Sequence, residues 1–287
     1  MIQKLRAIWP VFAKWNAYGR PPFVWVFRTS KKCDRRFALK HAWSFQNVST
    51  DDKFQYVTIN KQAFVWPKDA PVSSLIQLLS ELLQTDHPHH YDVEPTRIGP
   101  GDIVLDIGAC EGAFSAAVAN KGAEIILIEP SLSMGDVINR LFELRNLPAP
   151  RIFQCLLGEN EKVSNFLDDS DNPGRSGVVE RPVKSSYPVR TMTLDEFART
   201  NLPRGLTYIK CDAEGSDARI LMSGRQTIKK YKPKIAVTTY HNVADYGTIS
   251  NFLESLGYRC SGKGLLLSGN AFRTVMLHGV PNASDKR

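Results

Sequence analysis

The chain has 287 residues, 43% hydrophobic and 23% charged, with a formal net charge of +8, enough apolar material for one large domain and an appendage. Its uncharged apolar runs, such as residues 125–128, are strand-sized and far short of the roughly 18 residues that span a bilayer, which excludes a membrane-spanning helix. The five cysteines, at 33, 110, 155, 211 and 260, include no CxxC pair and suit reduced thiols better than a disulfide framework or a zinc ribbon.

Residues 1–50 hold ten Lys and Arg against the single acid Asp34, so the N-terminus is a basic arm on a near-neutral body. Pro10 and Lys14 interrupt what would be the apolar stretch of a signal peptide, and the chain is read as cytoplasmic. Leu5, Ile8, Trp9, Phe12 and Trp15 share one side of a helix within residues 1–18, a stripe that docks on the body or lies on an anionic membrane face through residues 1–36. Pro21 and Pro22 end it, and Lys31, Lys32, Asp34, Arg35 and Arg36 read as an exposed loop. Residues 54–66 predict a hairpin turning at Asn60 and Lys61, and residues 72–83 an amphipathic helix. Asp86, His87, His89, His90 and Asp92 read as a Pro-containing polar loop, and no metal is expected.

From Asp102 onward strands alternate with helices. Strands are predicted at 103–107, 125–128, 152–157, 206–211 and 235–239, with 258–260 and 273–277 closing the sheet as two antiparallel strands. Helices carrying Phe114 and Val118, Val137 to Leu144, Ile220 to Ile228, and Ile249 to Leu256 fall between them. Such alternation predicts a parallel sheet covered on both faces, with ligands beyond the carboxyl ends of the strands. The polar segment 168–190 separates the third strand from the fourth and reads as a binding loop or a solvated insertion holding a strand pair.

Functional residues should therefore follow strands. Asp106, Gly108, Ala109, Cys110, Glu111 and Gly112 form a tight strand-to-helix turn, where a carboxylate suits a ligand bearing an ammonium group. The turn lacks the GxGxxG that admits a dinucleotide pyrophosphate. Glu129 ends the second strand, where an acid accepts the two hydroxyls of a ribose. Lys210, Asp212 and Glu214 erupt at the end of the apolar fourth strand, and Tyr240 and His241 follow the fifth, so that His241 should neighbour Asp212.

These residues resemble the FkbM-type methyltransferases of the class I fold. The resemblance runs from about Asp102 to His278 and rests on GDIVLDIGACEGAFS, the IEPS segment at 128–131, TLDEF at 193–197 and YIKCDAEGSDARILMSG at 208–224. It implies an α/β, Rossmann-like fold with a seven-stranded, mostly parallel sheet and helices on both faces. S-adenosyl-L-methionine would be the methyl donor, and a hydroxyl of a sugar, glycan or secondary metabolite the acceptor. Carried over by residue, Asp106, Gly108, Ala109, Glu111 and Gly112 would surround the methionine part, Glu129 the ribose, and Leu157 and Gly158 the adenine, with Cys110, Phe114, Pro130 and Ser131 also at the cofactor. Asp212, Glu214 and His241 would face the acceptor, with His241 first and Asp212 second as general base and Lys210 or Tyr240 orienting it.

The expected division is a basic extension with a hairpin and a helix at 1–90 and a methyltransferase domain at 91–287. An RNA methyltransferase using the basic arm is an alternative, disfavoured because the body lacks an Asn/Asp-Pro-Pro-aromatic tetrad and a paired-cysteine motif. A nucleoside-binding module without catalysis is another.

Overall fold

The computed structural model describes residues 30–282 apart from 170, 172, 174, 175, 269 and 270. The aromatic stripe of residues 1–18 and the Pro21–Pro22 break lie outside the described residues. Among the described residues, no helix is long and apolar enough to cross a membrane.

The basic run expected as an exposed loop is a helix, Ser30–Lys40, with Cys33 and Phe37 buried. Those two lie one turn apart on a single face, and that apolar contact outweighs the charged positions around them. Arg36 fixes the helix by donating to Gln84 Oε1 and to Asp86, the latter at 2.9 Å.

A short strand β1 (Ser49–Thr50) then pairs with β2 (Phe54–Ile59), which pairs with β3 (Gln62–Pro67). The turn joining β2 to β3 puts Asn60 at φ 52° and Lys61 at φ 65°, the paired left-handed conformation that a two-residue hairpin turn demands. Helix Val72–Leu83 follows with the predicted bounds, burying Leu75 and Leu79 one turn apart.

The main sheet contains β4 (Ile103–Ile107), β5 (Glu124–Ile128), β6 (Arg151–Phe153), β11 (Tyr208–Cys211), β12 (Lys234–Thr238), β13 (Tyr258–Ser268) and β14 (Ala271–Pro281). Their spatial order is β13-β14-β12-β11-β4-β5-β6. The five strands from β12 to β6 run parallel, whereas β14 runs antiparallel to both β12 and β13. This is the seven-stranded, mostly parallel sheet expected for a class I methyltransferase fold. The chain leaves β4 toward β5 and β6 and returns to the other side at β11, so the strand order reverses between β4 and β11. That switch point leaves a crevice beyond the strand ends.

Side chains alternate across the sheet with a period of two. Val104, Leu127, Tyr208, Ala236 and Met276 face a core shared with Val57, Phe64, Trp66, Leu75, Leu79 and Tyr91. The hairpin and the helix Val72–Leu83 thus cover one face together with helices Ala113–Ala119 and Leu132–Leu144. Leu105, Ile107, Ile126, Ile209, Val237 and Leu277 face helices Leu194–Asn201, Asp217–Ser223, Arg225–Tyr231 and Asp245–Ser255. Each fully buried large apolar side chain contributes about 1.5–3 kcal/mol.

Two local departures from the sequence reading follow, and the 168–190 insertion holds strands, one of the two readings open for it. The helix expected around Ile220 and Ile228 breaks at Gly224, where a Cβ would come within 2.3 Å of Leu194 Cδ2. The third strand, read as 152–157, ends at Phe153 and resumes as β7 (Leu156–Leu157) in another sheet. There β7 joins β10 (Ser186–Met192), β8 (Lys162–Leu167) and β9 (Gly177–Val179), so the polar insertion folds as a small sheet of its own. Its alternation is weak because much of its surface faces solvent.

Candidate functional site

The turn after β4 is shaped by backbone crowding. Gly108 sits at φ +73°, and a Cβ there would lie 1.9 Å from the carbonyl oxygen of Asp212. Gly112 has the same φ, and its Cβ would meet Ile138 Cγ1 at 2.8 Å. Cys110 adopts φ 50° between them. The N–H groups of Gly108 and Ala109 donate to Ile128 O and that of Cys110 to Glu129, so the turn is pinned to the end of β5. Phe114, on the following helix, meets the Tyr91 ring edge-on at 5.4 Å.

Glu129 closes the same opening from the end of β5. Its two carboxylate oxygens accept from Cys110 N at 2.8 Å and Ser131 N at 2.9 Å. Burial pushes this carboxyl up to about 7, against the two N–H groups that favour its charge. Glu111 is also raised to about 7, again mainly by burial. Pro130 and Ser131 are tied to the insertion: Tyr187 donates to Pro130 O at 2.8 Å, and Ser131 Oγ donates to Asp168 Oδ1 at 2.7 Å. Leu157 is buried, and Gly158 N donates to Met192 O at 2.9 Å, so both sit where β7 meets β10.

Asp106 was expected to meet the ligand, but it is 0% exposed and already engaged. Asp106 and Lys210 are register partners on β4 and β11, and Lys210 Nζ lies 2.9 Å from Asp106 Oδ1. Ser115 Oγ donates to Asp106 Oδ2 at 2.7 Å. Lys210 also donates to Gly108 O and lies 5.3 Å from the centre of the Tyr91 ring. Burial alone would strip its proton, yet the charges of Asp106 and Asp212 hold it ionised. The pair therefore braces the turn from beneath, and Lys210 is a fixed cation under it.

At the ends of β11 and β12 the predicted neighbours meet. His241 Nε2 lies 3.9 Å from Asp212 Oδ1 and 3.3 Å from Glu214 Oε2, and Nδ1 lies 3.3 Å from Asp217 Oδ2. Burial opposes a charged imidazole, but the facing carboxylates of Asp217, Glu214 and Asp212 raise it to about 10. Asp212 is also buried, which would raise it, but His89 and Lys210 hold it well below the usual carboxylate range. Tyr240 stacks against His241 with ring centres 4.2 Å apart.

Three members of this group carry no local signal in the sequence. Tyr91 donates to Asp212 Oδ2 at 2.7 Å. His89 bridges Glu81 at 2.8 Å and Asp212 at 3.4 Å. Asp217 accepts from Ala213 N, Gly215 N and Thr238 Oγ1. Asp217 lies inside the 208–224 segment without standing out there, whereas nothing in local spacing links Tyr91 or His89 to a strand over a hundred positions away. The polar run 86–92 disperses: His87 turns to Asp34, His90 Nδ1 to Glu81 O, and Asp92 to Lys121 and Ile98 N.

Residues 106–260 match the Methyltransferase FkbM domain family. Among solved structures, the chain is similar to methyltransferase FkbM from Methylobacillus flagellatus at 18% identity and TM-score 0.48, over 74% of this chain and 56% of that one. It is also similar to precorrin-6y C5,15-methyltransferase from Geobacter metallireducens, at 12% identity and TM-score 0.39, over 64% of this chain and 84% of that one. The magnesium protoporphyrin IX methyltransferase of Synechocystis, solved with bound SAM, gives 14% identity and TM-score 0.38, over 64% and 71%. No curated protein matches the chain. With more than half of its length matched by the family, the chain belongs to the FkbM methyltransferases.

Proposed function

We propose that the protein transfers the methyl group of S-adenosyl-L-methionine to a hydroxyl of a sugar, glycan or secondary metabolite. The observation that carries this reading is the meeting of the Gly108–Gly112 turn with the buried carboxylate of Glu129, which accepts from Cys110 N, and with Asp212, which neighbours His241. The small residues of the turn let a ligand approach its main chain, and the buried carboxylate of Glu129 suits the ribose hydroxyls. Leu157 and Gly158 would border the adenine. Asp106 would support the methionine part from beneath the turn, through Lys210, which also donates to Gly108 O.

A sulfonium methyl is already activated, so the protein's main task is to hold the acceptor oxygen in line with the S–CH₃ bond and exclude water. Such alignment supplies on the order of 7 to 11 kcal/mol. A neutral hydroxyl must also lose its proton. His241 first and Asp212 second are the candidate proton acceptors, 3.9 Å apart at the ends of β12 and β11. Tyr240, stacked on His241, would orient the acceptor beside them.

The test is product analysis with methyl-labelled S-adenosylmethionine and a panel of hydroxylated acceptors. Label in an acid- and base-stable ether supports O-methylation. Label on nitrogen, carbon or RNA, or cofactor binding with no labelled product from any acceptor, overturns it.

A further inference from the structure

Asp212 follows β11, Asp217 opens the helix Asp217–Ser223, and His241 follows β12. One donor atom from each lies within 4.8 Å of the others. Two donors on opposite sides of one ion stand about 4 to 5 Å apart when each is about 2.0–2.4 Å from it, so this span suits a single cation. In the sequence the 86–92 run is the place to test for a metal, but those side chains do not converge.

The donors are mixed, and they are oriented. Carboxylates alone collect any counter-charge, whereas an imidazole among them narrows the choice toward first-row transition ions over calcium. Thr238 Oγ1 lies 3.2 Å from Asp212 Oδ1 and 3.1 Å from Asp217 Oδ1, so its single proton is shared between the two carboxylates. Backbone N–H groups of Ala213 and Gly215 hold Asp217 further. Supported carboxylates of this kind are what metal ligands require. His241 Nδ1 is buried and makes no hydrogen bond of good geometry among the described residues, although it faces Asp217. A bound ion would give that nitrogen a partner. Glu214, with its side chain 83% exposed, stands at the rim 3.3 Å from Nε2 and can swing inward.

We propose that Asp212, Asp217 and His241 form a binding site for a divalent first-row cation such as Mn²⁺ or Zn²⁺. Binding rests on this geometry alone, and the ion's part in the reaction rests on the methyl-transfer reading above. There the ion holds the acceptor oxygen and stabilises its alkoxide, while the hydroxyl proton passes to solvent water. The C–O bond forms as the C–S bond breaks, and sulfur keeps the electron pair as a neutral thioether. Asp212 and His241, whose imidazole gives up its proton as the ion binds, are then ligands and no longer proton acceptors.

The test is titration of chelator-treated full-length protein with MnCl₂ and, separately, ZnCl₂, followed by calorimetry and, for Mn²⁺, by loss of the free-ion paramagnetic signal. His241→Ala and Asp212→Asn are measured beside it, with circular dichroism to establish that each is folded and an S-adenosylhomocysteine titration on the same samples. One ion per chain, weakened at least tenfold in either folded variant, is the expected result. Absence of binding of both ions up to millimolar concentration overturns the proposal, as does binding unchanged in both variants. Ion binding without S-adenosylhomocysteine binding would sink the methyl-transfer reading and leave the cation site standing.

Discussion

Tyr91 Oη donates a 2.7 Å hydrogen bond to Asp212 Oδ2 across 121 positions of sequence. It joins the segment ahead of the sheet to the end of β11, and Asp212 is buried there between Tyr91, His89 and Lys210. A hydrogen bond to a charged group contributes about 1.5–3 kcal/mol. Tyr91→Phe should therefore keep the fold and S-adenosylhomocysteine affinity but lower kcat by about tenfold or more. Steady-state kinetics with calorimetry on the same preparation checks this, and an unchanged kcat would remove Tyr91 from the site.

Lys210 and Asp106 face each other on adjacent strands, both nearly inaccessible. Removing one partner of a buried ion pair leaves an uncompensated charge and costs about 3–5 kcal/mol. Lys210→Met is expected to lose that much in chemical denaturation, and adding Asp106→Asn should restore part of it. Equal stability of the single and wild-type proteins would show that the pair does not brace the turn.

Gly108 cannot carry a side chain without displacing the backbone of Asp212. Gly108→Ala is expected to weaken S-adenosylhomocysteine binding at least tenfold, because the turn must open to admit a methyl group. Gly99→Ala, whose added Cβ would meet nothing within 4 Å, should bind like the wild type. Equal affinities for the two variants would place the ligand elsewhere.

Glu129 is held near 7 by burial, above its ordinary 4.5. Above that value it is a carboxylate able to accept ribose hydroxyls, and below it carries a proton. Affinity for S-adenosylhomocysteine should fall by up to about tenfold between pH 8 and pH 6, and Glu129→Gln should be weak and flat over that range. The sign for stability is opposite: between 4.5 and about 7 the native state keeps a proton that the unfolded chain has released, so this group lowers stability as pH rises through that window. Denaturation midpoints across pH 4 to 8, compared with Glu129→Gln, measure it.

The sheet was legible because its strands are apolar runs punctuated by polar residues at their ends. Asp106, Glu129, Asp212 and His241 sit at or just beyond the ends of β4, β5, β11 and β12 for that reason. Helix Val72–Leu83 and the Asn60–Lys61 turn were legible from spacing and local backbone preference. Tyr91, His89 and the burial of Cys33 and Phe37 were not, because each depends on which distant element packs against it. The pairing of Asp106 with Lys210 has the same origin: it is set by strand register, which the sequence of β4 does not contain.

The central claim is that a sulfonium nucleoside binds against the Gly108–Gly112 turn beside Glu129. Calorimetric titration of the purified protein with S-adenosylmethionine and S-adenosylhomocysteine tests it most directly. One site per chain, lost or strongly weakened in Gly108→Ala and Glu129→Ala, is the predicted result. A folded protein that binds neither compound, or binds both equally well after those substitutions, would contradict it.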